Sequence, residues 1–148
     1  VLRPSFPEWA LGLAEAASVR SEDPYVQVGS VVVGYDWTVL GIGYNGLPPK
    51  VDMPESWWDD RDGRRPFMIH AEQNALRTVT TTHADGLQVV STHIPCATCM
   101  SLLGSYRVSR VYWSKQLGSA HDHDLIMKVA ELHGIQLRQI GDSNGRGA

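Results

Sequence analysis

The sequence predicts an α/β fold, a three-layer α/β/α sandwich around a mixed five-stranded sheet. Three observations predict it. Stretches of helical and strand-like periodicity follow one another in the order α-β-β-α-β-α-β-α-β. The first two strands are joined by the short link Tyr35-Asp36-Trp37-Thr38, which makes them an antiparallel hairpin. From the third strand onward a helix separates each strand from the next, an arrangement that favours parallel pairing with a right-handed crossover.

Trp9 to Val19 carries apolar residues at 9, 10, 13, 14, 16 and 17, one face of a helix that ends before Ser21-Glu22-Asp23-Pro24. Val28 to Gly34 and Val39 to Tyr44 are short strand-like runs with β-branched residues. Gly41, Gly43 and Gly46 punctuate the second run and its exit, where a missing side chain permits close backbone approach. Leu47 to Pro66 is a polar loop bearing prolines and tryptophans, long enough to be functional rather than a connector. Ile69 to Thr80 reads as a helix with Ala71, Ala75, Leu76 and Val79 on its buried face. Leu87 to Ser91 is a buried strand, and Cys96 to Tyr106 a helix whose start is prepared by Pro95. Arg110 to Trp113 is a strand, Asp122 to His133 a helix stopped by Gly134, and Gln136 to Ile140 the last strand. The polar, glycine-rich tail from Gly141 to Ala148 is expected to fray.

With 148 residues, the chain is expected to form one domain over 1–148 with a sizeable core. Its net charge of -3 argues against a large basic surface for a nucleic-acid polymer, although local basic groups suffice for a single phosphate. No apolar run approaches the roughly 18 residues of a membrane span, and no signal-peptide pattern opens the chain. Cys96 and Cys99 are the only cysteines. On one helical turn they suit metal thiolates in a reducing compartment better than a framework disulfide, so a cytoplasmic location is expected.

The chemistry lies in His70-Ala71-Glu72 and Pro95-Cys96-Ala97-Thr98-Cys99, which read as H-x-E and P-C-x-x-C. His70, Cys96 and Cys99 are three ligands of the kind zinc prefers, and a catalytic zinc site keeps its fourth position for water. Cys96 and Cys99 stand at i and i+3, so both sulfurs face one point. A helix N-terminus there favours the thiolate. Glu72, two residues from His70, is directed elsewhere and is the expected proton carrier. Zinc would lower the pKa of its bound water to give hydroxide near neutral pH, and Glu72 would take the water's proton and pass it to a ring nitrogen and a departing amine. The expected reaction is hydrolytic loss of an exocyclic amine from an aromatic nitrogen ring, with one zinc per chain.

The pattern is the signature of zinc-dependent nucleobase deaminases, and the chain resembles the cytidine deaminase superfamily. Within it, the resemblance is to the deoxycytidylate (dCMP) deaminase branch. Ser21-Glu22-Asp23-Pro24, Gln27-Val28-Gly29, Gly41-Ile42-Gly43-Tyr44-Asn45-Gly46-Leu47-Pro48 and His70-Ala71-Glu72-Gln73-Asn74-Ala75 occur in that branch's order. The resemblance implies a hydrolase that converts a free cytosine nucleotide, dCMP first, to its uracil counterpart and ammonia by attack at C4. It further implies that Asn45 contacts the sugar or base, that the Ala71 backbone holds the pyrimidine carbonyl, and that Pro95 sits on the substrate side. Lys115, in the loop Ser114-Lys115-Gln116 leaving the fourth strand, would hold a 5′-phosphate, as would Arg20 or the pair Arg64-Arg65. A homo-oligomer is implied, hexamers being common in the branch. The chain departs from the branch at Pro49-Lys50-Val51-Asp52, so neither an accessory metal site nor triphosphate regulation is carried over, and at Gln116 to Asp124, which is unlike the branch's common tyrosine-bearing loop after the fourth strand.

Three other readings use the same residues. One is deamination of another small amino-heterocycle, such as a nucleoside, cytosine, guanine or a modified pyrimidine nucleotide. The second is editing of a polynucleotide, which the acidic balance disfavours. The third is a non-catalytic, metal-stabilised binding module, with a fourth ligand from His83, His93, His121 or His123 and no requirement for Glu72. Trp57, Trp58 and Trp113 fit a pocket wall and core packing equally well.

Overall fold

The computed structural model describes residues 2–80 and 86–141. Its elements are α1 (Phe6–Ser18), β1 (Gly29–Val33), β2 (Val39–Tyr44), α2 (Arg61–Arg64), α3 (Ala71–Leu76), β3 (Leu87–His93), α4 (Ala97–Ser105), β4 (Val108–Lys115), α5 (Ala120–Leu132) and β5 (Gln136–Gln139), with 3₁₀ turns at Glu55–Asp59 and Arg65–Phe67. The strands form one sheet in the order β2-β1-β3-β4-β5. β1 is antiparallel to both β2 and β3, while β3, β4 and β5 are parallel. The expected α/β fold with a mixed five-stranded sheet is therefore present. The predicted fraying of the tail falls, apart from Gly141, outside the described residues.

Alternation along the strands divides the core between the two faces. Val31 and Val33 pack with Ala14 of α1, and Val90 and Tyr112 with Ala10 and Leu11 of the same helix. Val32, Val89, Val111 and Trp113 turn the other way and pack with Ala75 of α3, Met100 and Leu103 of α4, and Ile126 and Ala130 of α5. Helices thus cover both faces, which makes the three layers.

Two helices depart furthest from their predicted bounds. α1 begins before Trp9 because Ser5 caps it: Ser5 Oγ accepts from the Glu8 N–H at 3.3 Å and donates to Glu8 Oε1 at 2.8 Å. α3 is shorter than Ile69 to Thr80 at both ends. Ile69 is held in an antiparallel bridge with Gly46, by hydrogen bonds of 2.8 and 3.0 Å, and His70 is the extended N-cap. At the other end the β-branched Thr78 donates its hydroxyl to the Leu40 carbonyl at 2.8 Å.

The short α3 lies directly on β2. A Cβ at Gly41 would collide with the Ala75 carbonyl, and one at Gly43 with the backbone of Ala71 and Ala75. Gly43→Ala is therefore expected to overpack this contact and destabilise the fold by about 1–3 kcal/mol. A lowered urea midpoint with unchanged denaturant slope checks it.

Candidate active site

Both halves of the motif stand at helix starts. His70 is the N-cap of α3 and Cys96 that of α4, where Cys96 Sγ accepts the Cys99 N–H at 3.5 Å. This arrangement sets His70 Nδ1 3.2 Å from Cys99 Sγ and 3.6 Å from Cys96 Sγ. The three ligand atoms lie within 4.8 Å of one another, and no other described residue joins the group.

The three groups compete for protons. A hydrogen bond from the Cys99 thiol, reinforced by His70 against the opposing effect of burial, lowers Cys96 to about 4. The same hydrogen bond, together with burial, pushes Cys99 far up. His70 is raised above its ordinary range, chiefly by its hydrogen bond to Cys96. Two sulfurs and an imidazole cannot all be deprotonated this close together unless a cation joins them. Two thiolates and one neutral imidazole suit a tetrahedral zinc ion, and the residues present fit that ion.

Glu72 lies one helical step past Ala71 and is 3 % exposed. Burial raises its carboxyl above the ordinary range. Ser91 Oγ donates to Glu72 Oε1 at 3.1 Å, and the hydroxyls of Ser91 and Ser30 are 2.8 Å apart. Sequence reasoning missed both serines. The available signal was a serine beside each valine run, Ser30 before Val31 to Val33 and Ser91 after Val89 and Val90.

The Gly46–Ile69 bridge is antiparallel, so Asn45 lies across from His70. The Asn45 side chain is already engaged: Oδ1 accepts from Val28 N–H at 2.8 Å and Nδ2 donates to Val26 O at 2.9 Å. Ala71 and Pro95 are buried beside the ligands. Lys115, the exposed last residue of β4, is opposite His93 in register, whereas Arg20 is exposed in the turn after α1. Arg64 is buried against Asp23 and is not presented to solvent; Arg65 is exposed. Trp113 belongs to the core, and Trp57 and Trp58 pack edge to face on one another. His93 and His123 contact Thr92 and Trp113 instead of joining the ligand group, His121 is exposed, and His83 lies outside the described residues.

This fold and ligand set define the class of zinc-dependent nucleobase deaminases. Residues 4–115 match the model of the cytidine and deoxycytidylate deaminase zinc-binding region, and the chain belongs to that family. It is 37% identical over 106 residues to a probable deoxycytidylate deaminase of Caenorhabditis elegans, covering 70% of this chain and 54% of that one, so it spans about half the worm protein's length. It is 32% identical over 126 residues to the deoxycytidylate deaminase of Mycobacterium phage D29, covering 77% and 98% of the two chains. The crystal structure of dCMP deaminase from the cyanophage S-TIM5 in complex with dCMP and dUMP superposes with a TM-score of 0.71 at 26% identity, over 95% of this chain and all of that one.

Two expectations follow from the geometry. Purified protein should carry roughly one zinc per chain, and Cys99→Ser should lose most of it, as read by metal analysis after gel filtration. His93 should show in the acid stability. Burial and the Lys115 charge lower it from 6.5 to about 4. Between these values the unfolded chain binds the extra proton, so stability falls as pH drops from 6.5 towards 4. His93→Gln should lose less stability across that window than the parent, measured by urea midpoints at its two ends.

Proposed function

We propose that the chain is a zinc-dependent hydrolase that deaminates a free cytosine nucleotide, dCMP first, to the uracil nucleotide and ammonia, and that one domain carries the whole site. The observation that carries the reading is the buried carboxyl of Glu72 beside three metal-ligand side chains with no fourth among the described residues. The substrate class is supported by the relatives named deoxycytidylate deaminase and by the S-TIM5 enzyme, whose structure holds dCMP and dUMP.

His70, Cys96 and Cys99 would hold the ion. Zinc bound there would supply a Lewis acid that makes water nucleophilic near neutral pH. Glu72 takes a proton from the attacking water and gives it to the ring nitrogen adjacent to C4. It then takes the proton of the hydroxyl now on C4 and delivers it to the amine, so that the C4–N bond breaks, ammonia leaves and the C4 carbonyl forms. Burial makes the Glu72 carboxyl easier to protonate than a free one, which suits a group that takes up a proton and passes it on. The Ser91 hydroxyl holds Oε1 and thereby orients the carboxyl. Asn45, across from His70, the Ala71 backbone and Pro95 border the base and sugar, and Lys115 or Arg20 meets the phosphate.

Glu72→Gln should retain zinc and fold yet lose about 10²–10⁴-fold in turnover. Ammonia release near the parent rate by that variant would sink the assigned role. Initial rates on dCMP, dCTP, deoxycytidine, cytosine and guanine test the substrate class. The expected order places dCMP first, and preference for an unphosphorylated compound would overturn the choice.

A further inference from the structure

Among residues 47–68 Arg64 alone is buried, at 4 % exposed, although this segment contains two tryptophans and a phenylalanine. Arg64 Nη1 meets Asp23 Oδ2 at 3.0 Å, and its guanidinium lies over the rings of Tyr25 and Trp58, 4.9 and 5.2 Å from their centroids. Its Nε is buried without a partner. A buried ion pair with an unsatisfied donor is a poor source of net stability, so its effect is better sought in the conformation it selects.

That conformation runs to the candidate site. Asp23 Oδ1 accepts the N–H groups of Tyr25 and Val26 at 2.8 and 3.3 Å. Val26 and Val28 in turn hold both ends of the Asn45 amide. Ser21 Oγ donates to the Asn45 carbonyl at 2.8 Å, and Glu22 Oε1 accepts the Leu47 N–H at 2.7 Å. Segment 47–68 leaves from Gly46 and returns at Ile69, the two partners of one bridge, with His70 next in the chain. We infer that Arg64 is a positioning residue: its ion pair with Asp23 latches the 47–68 loop onto the 21–28 segment and so fixes Asn45 across from His70.

The kinetic side of this inference rests on the function proposed above, but its structural side does not. Arg64→Met removes the charge at similar length, Asp23→Asn removes it while keeping an acceptor for Tyr25 and Val26, and Arg64→Ala leaves space for added guanidinium ion. Amide hydrogen exchange should speed up by about tenfold or more in 21–28 and 47–68 of each variant, with β1, β3 and β4 unchanged, because the latch governs a local opening. The KM for dCMP should rise about tenfold while kcat stays within about threefold, the mark of lost substrate positioning. Low-millimolar guanidinium should reverse both changes in Arg64→Ala and neither in Arg64→Met. Unchanged exchange in the two segments, or faster exchange spread evenly over the sheet, would overturn the latch. So would a loss of kcat at constant KM. A parent protein that releases no ammonia from dCMP ends the substrate reading, and the exchange result then decides the latch alone.

Discussion

Two sulfurs, an imidazole and a carboxyl share one small volume, and they cannot satisfy one another's charge. Cys96 and Cys99 divide a proton between them, His70 is drawn towards the charged form, and buried Glu72 is drawn towards the neutral one. Much of the surrounding structure supports that concentration of reactive groups. Gly41 and Gly43 let α3 settle on β2 at backbone contact, which fixes the start of the helix that carries Glu72. α4 begins at Cys96 itself, so the turn that gathers the two sulfurs is also the turn that caps the helix. Ser91 and Ser30 give the carboxyl a polar floor within an otherwise apolar sheet face. A divalent ion resolves the proton competition in a way no rearrangement of these side chains does.

The ligands were legible because each half of the motif is local: Glu72 is two positions from His70 and Cys99 three from Cys96, so spacing specifies the geometry within each half. The alternation of strands and helices was legible for the same reason, and the right-handed crossover rule supplied the parallel half of the sheet. What was hidden depends on contacts between distant segments. Ser30 and Ser91 meet only because β1 pairs with β3 in a particular register. The true start of α3 is set by the bridge from Ile69 to Gly46, not by its apolar periodicity. Arg64 read as a surface cation and a candidate phosphate ligand because a polar loop gives no hint that one of its arginines will be buried against Asp23.

Asn45 shows how a functional reading and a structural one can converge on one residue. An Asn-Gly pair is a turn signal in any chain. Here its amide also splices the 26–28 backbone to the exit of β2, and the neighbouring bridge brings it across from a metal ligand. Oδ1 and one Nδ2 hydrogen bond backbone, which leaves the amide one hydrogen and one acceptor lone pair. Loss of Asn45 would therefore disturb the segment that Asp23 organises.

The two ends of the site are built differently, and this bears on selectivity. At the proposed reacting end Glu72, Ala71, Pro95 and Cys99 are buried, whereas Cys96 is half-buried and His70 exposed. At the proposed phosphate end, Arg64 is committed to Asp23 and Arg20 lies in an exposed turn. Lys115 stands at the C-terminal end of a parallel strand, the edge of an α/β sheet where ligands gather, and directly opposite His93. Burial and the lysine's own charge keep His93 neutral at ordinary pH, so the pair presents one firm positive charge beside a neutral imidazole. One lysine beside a neutral imidazole adds little long-range attraction for a polyanion. The chain's net charge of -3 likewise gives a polyanion little to bind.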